Sequence, residues 1–267
     1  MKDLKRFATE DFPLHPSALR ILIDCPWRLV MLYLDTPDGE SGPAADTGSA
    51  VHAAACALHQ GKEVAESLAV MSAKLSEYPR ADLVDAASLF LKYASDPRNR
   101  GAEVLLNEQP ISFQVAAAPE DPTGEPLIFV GRVDQVRRTD RLRVFDIKSS
   151  KRDPMELLHE SLFQMAAYCV GASVLLKERV DPGALIMVRK YKATDHANAP
   201  VFWHFPWTFH DCEQILDVVR HRVAEVRRGV LYHNPKEDMC RWCHQRTPDV
   251  CFPKLQEELK LRDIKKN

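Results

Sequence analysis

The sequence predicts an α/β fold, on three observations. Runs rich in β-branched and aromatic residues recur at 103–115, 127–137, 141–148, 183–191 and 200–206, the composition that a pleated, half-buried surface favours. Longer amphipathic stretches precede and separate them, above all 154–177 between two strand-like runs, with the period of a helix. The 267 residues, 45% hydrophobic and 28% charged, suffice for one large domain or a core with an attached subdomain.

Residues 14–35 read as helical, with Ser17 as N-cap and a break at Pro26, beside Cys25. A Pro-, Gly-, Asp- and Ser-rich loop follows over 36–46. Thr47 is expected to cap a helix running through Ala50 and His52 to a stop at Gly61. Its alanines would let it lie close against a sheet, with His52 facing inward. Amphipathic helices are expected over 62–77 and 80–95, then a first strand at 103–115 that holds Glu108. After a turn-rich connection, 127–137 and 141–148 form a hairpin around Thr139-Asp140. The long helix at 154–177, strands at 183–191 and 200–206, and a helix at 210–229 complete the order. No internal repeat and no low-complexity linker interrupts it.

The formal charge of -2 and a pI near 6.6 do not announce a nucleic-acid binder. Local clusters do exist. Arg132, Arg137, Arg138, Arg141 and Arg143 surround a pair of carboxylates, and Arg189, Lys190 and Lys192 follow later; a solvated strand edge is the alternative for each. No apolar run approaches the ~20 residues that span a bilayer, and Met1-Lys-Asp-Leu-Lys-Arg lacks a leader's apolar segment. The expectation is a cytoplasmic protein without membrane contact.

The chemistry concentrates between Val130 and Tyr168. Gly131-Arg-Val-Asp134 precedes Asp146-Ile-Lys148 across the hairpin, and Gln164 and Tyr168 follow on the helix. Residues two apart in a strand share a face, as do residues four apart in a helix. Asp146 and Lys148 therefore project together, and Gln164 stacks with Tyr168. Two acids suit Mg²⁺ or Mn²⁺, hard cations that prefer oxygen ligands. Lys148 would orient a water or offset charge developing on a phosphate. An isolated Asp-x-Lys is most often a surface ion pair, but the flanking pairs turn the balance toward metal-assisted phosphodiester cleavage. His52 alone is more often a core histidine than a ligand; on this helix its imidazole could complete a metal shell. Glu108 could be a further acid or a structural residue of the strand edge.

This combination resembles the PD-(D/E)XK nuclease superfamily, and within it the RecB-like branch that includes the RecB and AddB nuclease domains and CRISPR-associated exonucleases. The resemblance covers roughly 14–253. It implies that His52, Asp134, Asp146, Lys148, Gln164 and Tyr168 are the active-site residues, with His52, Asp134 and Asp146 at the metal. A mixed central β-sheet flanked by helices is also implied, a restriction-endonuclease-like core. Residues 1–100 would then be a helical N-terminal portion carrying Cys25 and His52, 101–230 the nuclease core, and 231–267 a cysteine-rich segment with a charged tail.

Of seven cysteines, Cys56, Cys169 and Cys212 sit in helix-like apolar stretches as small hydrophobes. Cys240 and Cys243 form a C-x-x-C, Cys251 follows, and Cys25 lies at the far end. Four thiolates hold either tetrahedral Zn²⁺ or a [4Fe–4S] cluster, and spacing alone does not choose. One early and three late cysteines resemble the iron–sulfur staple of AddB and its CRISPR-associated relatives, so a cluster is expected and structural zinc is the alternative. Cys240-x-x-Cys243-His244 also matches c-type haem attachment, a chemistry of exported proteins. The expected function is a metal-dependent DNA exonuclease in recombination, repair or DNA processing, served by a separate helicase or recombination partner because no Walker A sequence is present. The rival is a non-catalytic DNA-binding or assembly subunit.

Overall fold

The structure is a computed structural model that describes residues 4–35, 43–76, 82–150, 154–189 and 200–232. Two 3₁₀ turns, Leu4–Arg6 and Pro16–Ala18, lead into α1 (Leu19–Asp24) and α2 (Pro26–Asp35). Helices α3 (Pro43–His59), α4 (Val64–Leu75), α5 (Leu83–Ser95) and the single turn α6 (Pro97–Arg100) follow. Strands β1 (Glu103–Val115), β2 (Leu127–Arg138) and β3 (Leu142–Ser150) precede α7 (Pro154–Leu176). Then come β4 (Asp181–Arg189), β5 (Val201–His204) and α8 (Phe209–Arg227).

Prolines set several of these boundaries. Pro26 opens α2 directly after α1 ends at Cys25, since a residue without an N–H loses nothing at a first helical position. Pro43 likewise opens α3 one turn before Thr47. Thr47 is therefore buried inside that helix, 2% exposed, and is not its cap. Ser17 is not a cap either; it lies within the second 3₁₀ turn, behind His15.

The strands form one five-stranded sheet in the order β1-β2-β3-β4-β5. The first three make an antiparallel meander, β3 pairs parallel with β4, and β5 returns antiparallel. A parallel pair needs a crossover, and α7 supplies it. The result is the mixed, helix-flanked α/β sheet that the sequence predicts. Alternation along the strands divides the core between two faces. Ile111, Phe113, Phe129, Val144 and Leu185 pack under α1, α7 and α8, whereas Phe145, Ile147, Ile186 and Val188 pack under α3 and α5. Contact is close on the first face. A Cβ at Gly171 of α7 would lie 2.6 Å from Ile111 Cδ1 and 2.8 Å from Phe113 Cδ1, so only a bare backbone lets α7 sit that near β1.

One buried cation ties the helices to the second face. Arg137 of β2, 3% exposed, donates to Gln135 Oε1 (2.6 Å), Tyr93 Oη (3.1 Å) and Asn99 Oδ1 (2.9 Å). It also stacks over the Phe145 ring at 4.6 Å. His59, at the end of α3, bonds Tyr93 Oη at 2.7 Å; burial, then the Arg137 charge, push its pKa down to about 4. Among the described residues no helix is long and apolar enough to cross a membrane.

Candidate active site

The site lies where β2 and β3 part. Their ladder runs from Arg138↔Leu142 to Gln135↔Phe145 and goes no further. The next opposed pair in that register is Asp134 and Asp146. Here a side chain takes over from the backbone: Asp134 Oδ2 accepts the Ile147 N–H at 2.7 Å. The gap this opens lets groups from both faces of the sheet meet.

From the α3 side comes His52, whose ring binds at both ends. Nδ1 is 2.8 Å from Glu108 Oε1 and 3.6 Å from Asp134 Oδ2, and Nε2 is 3.0 Å from the Ile147 carbonyl. Both partners are acceptors, so both nitrogens donate, which only the imidazolium can do. The balance of charge agrees. Burial alone would lower the His52 pKa, but Asp134 and Glu108 outweigh it and raise it to about 9.

Glu108 reaches this cluster through an uncommon backbone. Its φ is +49° inside a strand, a left-handed conformation that costs a non-glycine residue about 1–2 kcal/mol. Such strain persists where the surroundings enforce it, often at a functional site. Oxygens or nitrogens of His52, Glu108 and Asp134 all lie within 4.8 Å of one another. Sequence reasoning left Glu108 undecided, since nothing in its neighbours announces a positive φ.

From the α7 side comes a second chain of contacts. Lys148 Nζ donates to Asp146 Oδ1 and to Gln164 Oε1, both at 3.1 Å, and Gln164 Nε2 donates to Tyr168 Oη at 2.8 Å. Burial disfavours the Lys148 ammonium, but Asp146 and Asp134 more than compensate and raise its pKa. Burial and the two carboxylates push the Tyr168 phenol well up, so it stays neutral. The glycine of Gly131-x-x-Asp134 has a steric reason. A Cβ there would meet the Pro16 ring at 2.8 Å and stand 3.7 Å from Tyr168 Cε1.

Asp146 sits between the two groups, 1% exposed. Burial raises its pKa, the Asp134 charge adds to that, and Lys148 works against both. Lys148 Nζ stands 2.9 Å from Oδ2 but off a hydrogen-bonding line, so that this buried oxygen has no hydrogen-bond partner. Two carboxylates and an imidazole close together are a donor set that fits Mg²⁺ or Mn²⁺, the imidazole favouring Mn²⁺. His52, Asp134 and Glu108 could hold the ion directly, and Asp146 adds negative charge beside them. Ile147 would keep the ring oriented through Nε2, leaving Nδ1 for the metal.

The structure thus brings together all six sequence-predicted residues, and adds Glu108. It does not gather the arginines. Arg137 is interior, Arg138 pairs with Glu103, and Arg141 and Arg143 pair with Asp140 at the hairpin tip. Arg132 alone among them lines the cleft beside His52. Cys25 is half-buried and bonded to no other cysteine among the described residues, while Cys240, Cys243 and Cys251, like Lys190 and Lys192, lie outside them.

One expected result tests the α7 chain. Gln164→Ala removes an acceptor from the Lys148 ammonium without touching a metal donor. It should lower kcat on the order of 10-fold to 100-fold, and Gln164→Glu, which keeps that acceptor, should recover part of the loss. Steady-state kinetics on a labelled oligonucleotide measure both.

Comparison with known proteins places the chain in a family. A family model for the PD-(D/E)XK nuclease superfamily matches residues 13–251. No curated protein matches. Among solved structures, the crystal structure of SSO0001 is similar over 82% of this chain and 91% of that one, at 15% identity and a TM-score of 0.38. At that TM-score the likeness carries no argument.

Proposed function

From a chain that belongs to the PD-(D/E)XK nuclease superfamily, we propose a divalent-metal-dependent DNA exonuclease that acts on single-stranded DNA or DNA ends. The observation that carries this is the convergence of Asp134, Glu108 and His52 within 4.8 Å, beside a buried Asp146 whose Oδ2 is ion-paired with Lys148 but accepts no hydrogen bond. A bound Mg²⁺ or Mn²⁺ supplies Lewis-acid polarisation of the phosphate and a readily ionised water. The protein's own part is positioning. Asp134, Glu108 and His52 would hold the cation, with the buried Asp146 charge beside them. Lys148, held by Asp146 and Gln164 at 3.1 Å each, presents a fixed ammonium to negative charge that builds on the phosphate oxygens. A preplaced charge of this kind is worth about 10²–10³ in rate. Gln164 and the neutral Tyr168 keep the ammonium from turning away.

The assay is direct. Wild-type protein with Mn²⁺ should degrade end-labelled single-stranded DNA, EDTA should stop it, and Lys148→Ala should be inactive within detection. Intact DNA with both proteins would favour the non-catalytic binding or assembly subunit instead.

The finer reading is the RecB-like branch, with residues 1–100 as helical portion, 101–230 as core and 231–267 as cysteine-rich segment, working in recombination, repair or DNA processing beside a separate helicase or recombination protein. A [4Fe–4S] cluster on Cys25, Cys240, Cys243 and Cys251 belongs to that reading. The path of the described chain supports it. Tyr232 Oη donates to the Ile23 carbonyl at 2.8 Å, beside Cys25. Cys240 follows eight residues on, and eight residues reach up to about 27 Å. Anaerobically purified protein should be brown, with about four iron atoms per chain. Colourless protein with one zinc per chain would replace the cluster by Zn²⁺.

A further inference from the structure

His52, Glu108 and Lys148 of the candidate site line a cleft, behind which Asp134 and Asp146 are buried. That cleft runs the length of α3 from Ala44 to Gln60, has a volume of about 870 Å³, and is walled on one side by α4. At ~1.5 Å per residue it is roughly 23 Å long, which leaves a channel roughly 7–10 Å across. His52 stands near its midpoint. Small residues of α3, among them Ala45, Gly48 and Ala53, form the floor.

The cations are placed at both ends. Lys62 lies in the turn after α3 and Lys74 at the end of α4, and both line the cleft. The short connection makes α3 and α4 antiparallel neighbours, so Lys62 flanks the end of α3 and Lys74 its beginning. Lys62 precedes α4 by two residues and Lys74 is near its end, so the rise of the helix separates them by roughly 15 Å, a few phosphates of a single strand. Arg132 and Lys148 line the same cleft, and Glu108 is the one carboxylate among its described lining residues. Among the described residues no aromatic side chain lines the cleft, so those residues offer phosphate contacts and no platform for stacked bases. A duplex, with a major groove alone about 12 Å wide, is too broad for such a channel.

We propose that this cleft is a backbone track for one nucleic-acid strand, gripped on both sides of the scissile phosphate by Lys62 and Lys74, so that cleavage releases short oligonucleotides and is indifferent to sequence. The proposal rests on the nuclease reading of the site and adds the course of the substrate. A strand held on one side only would give up mononucleotides from its end. A strand held on both sides leaves several residues beyond the cut.

Two measurements test it. In the first, wild-type protein with Mn²⁺ digests dT30 labelled at either end, with products resolved to single-nucleotide length. Oligonucleotides of about two to five residues are expected; mononucleotides as first products from either end would overturn the two-sided grip. In the second, binding of dT30 and of a mixed-sequence 30-mer is measured in EDTA over a range of salt. Lys62→Ala and Lys74→Ala should each weaken both complexes about threefold to tenfold and shallow the log–log salt slope by about 0.7. Lys62→Glu should weaken binding further, and Arg228→Ala, outside the cleft, should leave it unchanged. An unaltered salt slope in both lysine variants would overturn the track. Failure of wild-type protein to cut any DNA would instead overturn the nuclease reading, and the salt slope would still decide the track.

Discussion

Asp146→Asn is expected to lower metal-dependent cleavage on the order of 10³-fold or more, while the metal-free protein melts within a few degrees of wild type. The two halves have one cause. Asp146 is buried beside Asp134, and its carboxyl is pushed up by burial and by that neighbour. A neutral amide removes the repulsion but also removes a partner of Lys148, and the two effects largely offset. Catalysis has no such compensation, because an amide loses the carboxylate charge beside the cation's donors and weakens the hold on Lys148. Thermal melting and single-turnover cleavage at saturating Mn²⁺ measure the pair. Cleavage within tenfold of wild type would remove Asp146 from the site; a collapse of the melting temperature would make it structural.

The second large effect is on pH. The His52 pKa is raised from its ordinary 6.5 to about 9, so the metal-free protein holds an imidazolium throughout the neutral range. A group raised in this way contributes stability fully below about 6.5, and loses it as pH climbs through about 9. The metal-free melting temperature should therefore fall across that window. A cation needs the lone pair that this proton occupies, and binding must expel it. Apparent Mn²⁺ affinity should strengthen about tenfold per pH unit between 6.5 and 9, with about one proton released per ion at pH 7. Calorimetry in buffers of different ionisation enthalpy reads both. Added Mn²⁺ should also raise the melting temperature more at pH 8.5 than at 6.5. An affinity flat across this range would exclude His52 as a ligand.

Much of this site could be read in the sequence because its geometry is local. Asp146 and Lys148 share a face through strand alternation, and Gln164 and Tyr168 do so through one helical turn. The Thr139-Asp140 hairpin fixes which acid opposes which. Glu108 was not legible in this way, since a positive φ in mid-strand depends on the partners that enforce it. Arg137 was misleading for a related reason. It reads as one of several cations around the acids, but its acceptors Tyr93 and Asn99 lie 44 and 38 residues away, and they draw it inward. Thr47 failed as a cap because Pro43 starts the helix first, a contest between two local signals that only the backbone decides.

The 2.7 Å bond from the Ile147 amide to Asp134 divides the two acids by temperament. Asp146 can be silenced and the scaffold will not notice. Asp134 cannot, because the same oxygen that would face a cation also closes a seam between neighbouring strands. A trap for uncut DNA is therefore best built at position 146, and a lesion at 134 will be read as instability before it is read as lost chemistry.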